Sequence, residues 1–317
     1  MSGDIKVSVI CDAYNQEDYI AQTLQSIVDQ KTDFKYEILV HDDASTDKTS
    51  NIIYSFAEAY PELIKPMVQI ENQYSQNVDI NIVFQYARVS GQYIAFCEGD
   101  DYWTDPYKLQ KQVDVLDKNP DVDICAHSAN AVKADTCAVL YKIAPKDDYS
   151  LISVEEVING GGGYVATNSL MIRSDIVLDI PSWHKVLPMD YSLQILGSLR
   201  GGMIFLPDNM SDYRIMAKNS WSLKMRGNPK KRLEINRKLF DMLSALNEAT
   251  EHKYQDVIST KCEEISFWNL YYSESYKEMK KNPYRAMYKS LAFKEKALIN
   301  LHLYAPWLLQ IIRKVMY

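Results

Sequence analysis

The sequence contains no uninterrupted apolar run of about 18 residues, the length a membrane-crossing helix needs, so no such helix is expected. The opening Met1-Ser2-Gly3-Asp4-Ile5-Lys6 lacks the charged and apolar regions of a secretory signal, and residence in the cytoplasm is the expectation. Cysteine is sparse. Cys11, Cys97, Cys125, Cys137 and Cys262 are odd in number, widely spaced and without a C-x-x-C pair, which argues against a disulfide framework or a zinc motif and leaves them as small core residues. Glycine is missing from Asp12-Ala13-Tyr14-Asn15, the turn after the first apolar run, so the dinucleotide fingerprint and its nicotinamide chemistry are disfavoured. The Gly-rich, Arg-containing phosphate loop of a nucleotidyltransferase is lacking as well.

What is present is globular. Hydrophobic residues make up 47% of the 317 and charged residues 24%, enough apolar surface to offset the ordering of the chain. Charge is segregated: residues 224–317 hold 18 Lys and Arg against 10 Asp and Glu, whereas residues 1–223 hold 17 against 32. An acidic body repels a polyphosphate backbone, so nucleic acid is not expected as a partner.

The apolar run Val7–Cys11 suits a buried parallel strand, and Ile20, Leu24, Ile27 and Val28 then fall on one helical face. Tyr36–Val40 and the helix Ser50–Tyr60, closed by Pro61, repeat the pattern. Met67–Ile70, a weaker helix over Asn81–Ser90 and the strand Tyr93–Cys97 follow, with further strands at Val122–Ala126, Ser169–Ile172 and Met203–Leu206. Such alternation predicts an α/β fold, a mostly parallel sheet with helices on both faces. Beyond Pro229 the pattern is helical, over Arg232–Leu246, Tyr254–Tyr272 and Asn282–Tyr317 with a break at Pro306. A boundary near residue 224 is expected, separating residues 1–223 from a basic helical region, 224–317.

In sheets of this kind ligands sit beyond the carboxyl ends of the strands. All three segments there are acidic. Glu98-Gly99-Asp100-Asp101 crowds three carboxylates that repel one another unless a cation neutralises them, which suits Mg²⁺ or Mn²⁺ shared with a diphosphate; a solvated acidic turn is the alternative. In His41–Thr49, Ser45 or Thr46 could cap the following helix, while Asp42 and Asp43 could accept hydrogen bonds from a nucleobase or ribose.

The ordered set Val7–Asn15, Glu37–Asp47 and Gly91–Trp103 resembles the family 2 inverting glycosyltransferases of the GT-A fold, over roughly residues 5–222. Leu187–Leu193, Asp212-Tyr213-Arg214 and Ser220-Trp221 look like that family's acceptor side. The resemblance implies that Tyr14 lies against the base and Asp43 binds its edge. Asp12, where the family more often has Pro or Thr, would sit by the nucleotide with Asn15 and Gly99. Glu98 and Asp100 match the two acids of the D-x-D motif, Asp100 as metal ligand for Mn²⁺ or Mg²⁺ and Glu98 nearer the ribose or a metal-bound water. Asp190 matches the acid that activates the acceptor; in isolation a helix N-cap is the better account of it, and the family pattern reverses that preference. Asp101 and Trp103 are candidates for contact with sugar or acceptor, Trp103 by stacking.

A nucleotide-sugar donor, UDP- or dTDP-linked, and a saccharide or lipid-linked saccharide acceptor for bacterial surface polysaccharide are thereby implied. A binding module without catalysis is the rival reading. Gly160–Gly163 reads either as a mobile active-site loop or as a connector. The apolar and basic residues of Lys294–Tyr317 suit either docking on the inner face of the cell membrane or packing, within the chain or in a homodimer.

Overall fold

The computed structural model describes residues 5–187, 190–218, 220, 223, 225, 227–305, 307 and 308. The chain divides into two compact units, Met1–Arg226 and Gly227–Tyr317.

The first unit is built on a ten-stranded sheet with the path β3-β2-β1-β4-β9-β6-β10-β5, β7 pairing with β6 and β8 with β10. Strands β1 (Ile5–Ala13), β2 (Lys35–Asp42), β3 (Ile64–Val68) and β4 (Tyr93–Phe96) run parallel. The apolar residues of β1, β2 and β4 are mostly buried on both faces, as a parallel sheet covered on each side requires, while β3 buries only Ile64. Helix α1 (Ile20–Val28) buries Ile20, Leu24 and Ile27 in this core, each contributing about 1.5–3 kcal/mol by leaving water. Helix α2 (Thr49–Ala59) buries Ile53, and α3 (Lys108–Lys118) buries Leu109, Val113 and Leu116 at helical spacing. Gly91 precedes β4 because a side chain there would drive a Cβ to 2.5 Å from the Ser8 nitrogen.

Past β4 the sheet becomes mixed. Strand β9 (Met171–Arg173) lies antiparallel between β4 and β6 (Ile124–Lys133). The long β10 (Met203–Ile215) runs parallel to β6, with register shifts between Leu206, Asn209 and Ser211 that bend it. Its far end pairs with the short β5 (Tyr102–Trp103), bringing Ser211–Arg214 beside the segment that follows β4. Strands β7 (Val139–Ile143) and β8 (Ser150–Ile152) lie off the main path. Helices α4 (Val154–Gly160), α5 (Ser182–Val186) and α6 (Asp190–Ser198) complete the unit; α4 opens on a capping box between Ser153 and Glu156.

Three local expectations change. The Asn81–Ser90 helix is a π-helical turn, Asn81–Gln85, followed by a 3-10 turn, Tyr86–Arg88. Helix α2 starts without help from Ser45 or Thr46; the Asp47 carboxylate instead accepts the Thr49 N–H at 2.9 Å. Cys11, Cys97 and Cys125 are core residues, whereas Cys137 is exposed in a turn at φ 53°.

In the second unit α7 (Pro229–Ala249) begins with Asn228 capping the Lys231 N–H and Pro229 in the first turn. Helix α8 (Gln255–Tyr272) follows. The segment expected as one helix from Asn282 divides into α9 (Arg285–Ser290) and α10 (Phe293–Tyr304). Ile299 and Leu303 pack with Phe267, Tyr276 and Met279, so these two tail residues belong to a local core. Pro306 and residues 309–317 lie outside the described residues. No described helix is long and apolar enough to cross a membrane.

Candidate active site

The acidic turn after β4 is fixed from several sides. The Gly99 N–H donates to the Asp12 carbonyl at 2.9 Å, closing the turn onto the end of β1. The Thr23 hydroxyl of α1 lies within donating distance of the Gly99 and Asp101 carbonyls, at 2.9 and 2.6 Å. Asp101 itself is fully buried, one carboxylate oxygen accepting from Asn168 Nδ2 at 3.1 Å and the other from the Arg214 N–H at 2.8 Å. Asp101 is therefore a brace beneath the turn, its carboxylate committed to Asn168 and Arg214 rather than to the sugar or acceptor contact the sequence suggested.

Trp103 is corrected for the same reason. Its ring is buried, its Nε1–H donates to the Asn168 carbonyl at 3.1 Å, and Lys108 Nζ stands 4.0 Å from the ring centroid. A face already covered by an ammonium is no stacking platform.

Glu98 is exposed, and Asp100 is buried close beside it. Desolvation pushes the Asp100 carboxyl up to about 6, against the opposing pull of its own backbone hydrogen bond and of Arg214. Glu98 is pushed up to about 8 by desolvation and then by repulsion from Asp100, Asp190 and Asp12, although the residue as a whole stays exposed. Asp12 rises to about 7, chiefly by burial, with Gln85 Nε2 donating to its Oδ1 at 2.9 Å. Glu98 thus lies within electrostatic reach of Asp100, Asp190 and Asp12. Among the described residues no three His, Cys, Asp or Glu side chains converge to hold a metal ion. Asp100 with Glu98 could offer a hard cation part of a shell, the remainder coming from water and phosphate oxygen, a division usual for Mg²⁺.

Of the residues expected near a nucleotide, Tyr14 is half-buried just past β1. Asn15 adopts φ 52°, its N–H donating to Ser45 Oγ at 2.8 Å and its Oδ1 accepting the Thr46 N–H at 2.7 Å, so it pins the two strand-end loops together. Asp43 is buried, and its carboxylate accepts the backbone N–H groups of Gln73 at 2.7 Å and Tyr74 at 3.1 Å.

Asp190 opens α6. Its Oδ2 accepts from the Thr167 hydroxyl at 3.0 Å and its Oδ1 from the Tyr191 N–H at 2.7 Å. Burial raises its proton affinity, and both hydrogen bonds oppose that. The glycine run packs here: a Cβ on Gly162 would stand 3.6 Å from Asp190 Oδ1. Burial, and then repulsion from Glu98, Asp101, Asp100 and Asp190, push the phenol of Tyr213 on β10 up. Pro188, Met189 and Trp221 lie outside the described residues.

Sequence reasoning missed Thr23, Thr167 and Asn168, single polar residues with no local pattern. It quoted Arg214 without a role. That guanidinium lies 4.5 Å from the Tyr102 ring centroid and 5.1 Å from that of Tyr19, and its Nη1 donates to the Asp100 carbonyl at 2.5 Å.

Comparison with known proteins agrees with this architecture. Residues 8–160 match the model of glycosyl transferase family 2. An uncharacterised protein of Mycobacterium tuberculosis is 35% identical over 216 residues, 68% of this chain and 60% of that protein, so the chain covers less than two thirds of this relative. WfgD of Escherichia coli, a UDP-Glc:alpha-D-GlcNAc-diphosphoundecaprenol beta-1,3-glucosyltransferase, is 33% identical over 118 residues, 37% of this chain and 43% of that one. The mannosyltransferase PcManGT of Pyrobaculum calidifontis, solved with GDP-Man and Mn²⁺, has a TM-score of 0.54 at 16% identity, covering 96% of this chain and 83% of that one. The shared architecture is of the GT-A type.

Proposed function

We propose that this chain, whose residues 8–160 form a glycosyl transferase family 2 domain, transfers a sugar from a UDP- or dTDP-linked donor to a saccharide acceptor with inversion at the anomeric carbon. The observation that supports the reading is that Asp190 lies near enough to the acidic turn to repel Glu98, with its own carboxylate held by Thr167 and the Tyr191 N–H. Inversion needs a base on the face of the sugar opposite the leaving diphosphate, the role this reading gives Asp190.

Asp190 takes the proton of the acceptor hydroxyl as its oxygen bonds to the anomeric carbon, while the bond from that carbon to the diphosphate breaks and the nucleoside diphosphate departs. Tyr14 and Asp43 hold the base, with Asp12, Asn15 and Gly99 lining the nucleotide. Mn²⁺ or Mg²⁺, held by Asp100 with Glu98 beside it, would stabilise charge on the departing phosphates. Arg214 and Asp101 keep the turn in place beneath them.

The name of the E. coli relative supports a lipid-linked acceptor and a role in surface polysaccharide synthesis. Peripheral contact with a membrane is supported by the second unit, where Phe293, Tyr304 and Trp307 are exposed in a basic segment.

Calorimetric titration with UDP, dTDP, GDP and CMP, with and without Mn²⁺, tests the donor class. Metal-dependent UDP or dTDP binding that is lost in Asp100→Ala is expected. A folded protein that binds no nucleotide would overturn the reading. Asp190→Ala should retain donor binding and lose turnover; retained turnover would remove Asp190 as base, and a wild type that binds nucleotide but transfers nothing would favour the non-catalytic module.

A further inference from the structure

Resting on the reading of Asp190 as the acceptor-side base, the geometry points to Thr167 as its positioning residue, on a turn that also sets the base's distance from the acidic turn. Thr167 and Asn168 are adjacent in a 3-10 turn, Thr167–Ser169. Thr167 donates to Asp190 Oδ2 at 3.0 Å. Its neighbour Asn168 donates to Asp101 Oδ2 at 3.1 Å and to the Asp212 carbonyl at 3.0 Å, and accepts from the Ser211 hydroxyl at 2.8 Å. Two consecutive side chains therefore reach to opposite sides of the site, one to the base and one to the brace beneath the acidic turn.

The turn is rigid. Asn168 and Ser169 are fully buried, Gln112 Nε2 donates to the Ser169 carbonyl at 2.8 Å, and the Ser169 hydroxyl donates to the Ala166 carbonyl at 2.6 Å. With Oδ2 held by Thr167 and Oδ1 held by the Tyr191 N–H, the plane of the Asp190 carboxylate is defined by two donors from different elements. Gly162 leaves the approach to Oδ1 without a side chain. A base oriented by a further group is the arrangement that general-base catalysis repeatedly uses.

The test compares Thr167→Val, Thr167→Ser and Asp190→Asn with wild type. Release of nucleoside diphosphate from UDP-glucose, UDP-N-acetylglucosamine, dTDP-glucose and GDP-mannose is measured with Mn²⁺ and water as acceptor. Thr167→Val should lower kcat on the order of tenfold to a hundredfold, at or below the lower end of the roughly 10²–10⁴-fold a general base is worth, leaving donor KM and the unfolding temperature unchanged. Thr167→Ser, which keeps the hydroxyl, should restore the rate. Undiminished kcat in Thr167→Val beside an inactive Asp190→Asn would overturn the assignment while leaving the base in place. Loss of rate in both Thr167 variants together with a lower unfolding temperature would mark Thr167 as structural only. A wild type that turns over no donor, or an Asp190→Asn as fast as wild type, would remove the underlying reading and this inference with it.

Discussion

Asp101 and Arg214 hold each other across the end of the sheet: the Arg214 N–H donates to Asp101 Oδ1 at 2.8 Å while the Arg214 guanidinium reaches back to the carbonyl of Asp100. Neighbouring acids in one turn consequently do opposite work. Asp101→Ala should destabilise the protein by about 1–3 kcal/mol, because the Asn168 and Arg214 donors lose a buried acceptor. Asp100→Ala relieves repulsion and should leave stability without added metal equal or higher. Denaturant unfolding of the two variants checks the contrast, and equal losses would refute it.

Divalent cations should stabilise the protein more at pH 8 than at pH 5.5. Glu98, Asp12 and Asp100 are raised from 4.5, 3.8 and 3.8 to about 8, 7 and 6. For acids raised on folding, the stability they contribute is fully present below the unfolded values and is lost as pH climbs through the folded ones. A cation at Asp100 counters a charge that exists only at the upper end of that window. Unfolding temperatures with and without Mn²⁺ at both pH values provide the measurement; an equal shift at both, or one that survives in Asp100→Ala, would contradict it.

Lys108 gives the opposite slope. It is fully buried, donates to Gln112 Oε1 at 2.7 Å, and is lowered from 10.5 to about 7, chiefly by burial. The cost of burying its charge is full below pH 7 and is relieved as pH rises towards the unfolded value. It therefore adds up to about 1.4 kcal/mol of stability per pH unit in that window. Lys108→Met should be more stable than wild type at pH 7, and the difference should shrink by pH 9. A difference that stays constant with pH would show that the lysine is not titrating there.

Trp103→Phe should cost about 1–3 kcal/mol of stability, through the lost indole hydrogen bond and lost packing. Metal-dependent UDP binding should be unchanged. Calorimetry beside thermal unfolding separates these effects, and weakened binding at full stability would return Trp103 to the ligand.

The strands β1, β2 and β4 were legible because Val7–Cys11, Tyr36–Val40 and Tyr93–Cys97 are apolar runs, and α1 because Ile20, Leu24 and Ile27 recur on one face. β5, β7 and β8 were not: they are short, and cross-chain pairing rather than local preference creates them. Acid position could be read but acid direction could not. Asp100 and Asp101 are identical in type and adjacent, and what separates them is Asn168 and Arg214, distant in the chain. The capping expectation at Ser45 failed similarly, since its hydroxyl is engaged by the Asn15 N–H and Asp42. Thr167 had no signature at all, because a hydroxyl acquires meaning only from the carboxylate the fold brings to it.

The backbone amides of Gln73 and Tyr74 each occupy one oxygen of Asp43. A carboxylate offers about four lone-pair positions, and two amides seated on this buried one fix the direction of the side chain before any ligand arrives. A nucleobase arriving at Asp43 would meet a preorganised acceptor, with the rotamer entropy of the side chain spent during folding rather than on association. Were a base to bind there, selectivity at that edge would fall to the ligand: a base presenting an N–H along the frozen direction would find an acceptor, and one presenting a carbonyl would find oxygens that cannot turn away.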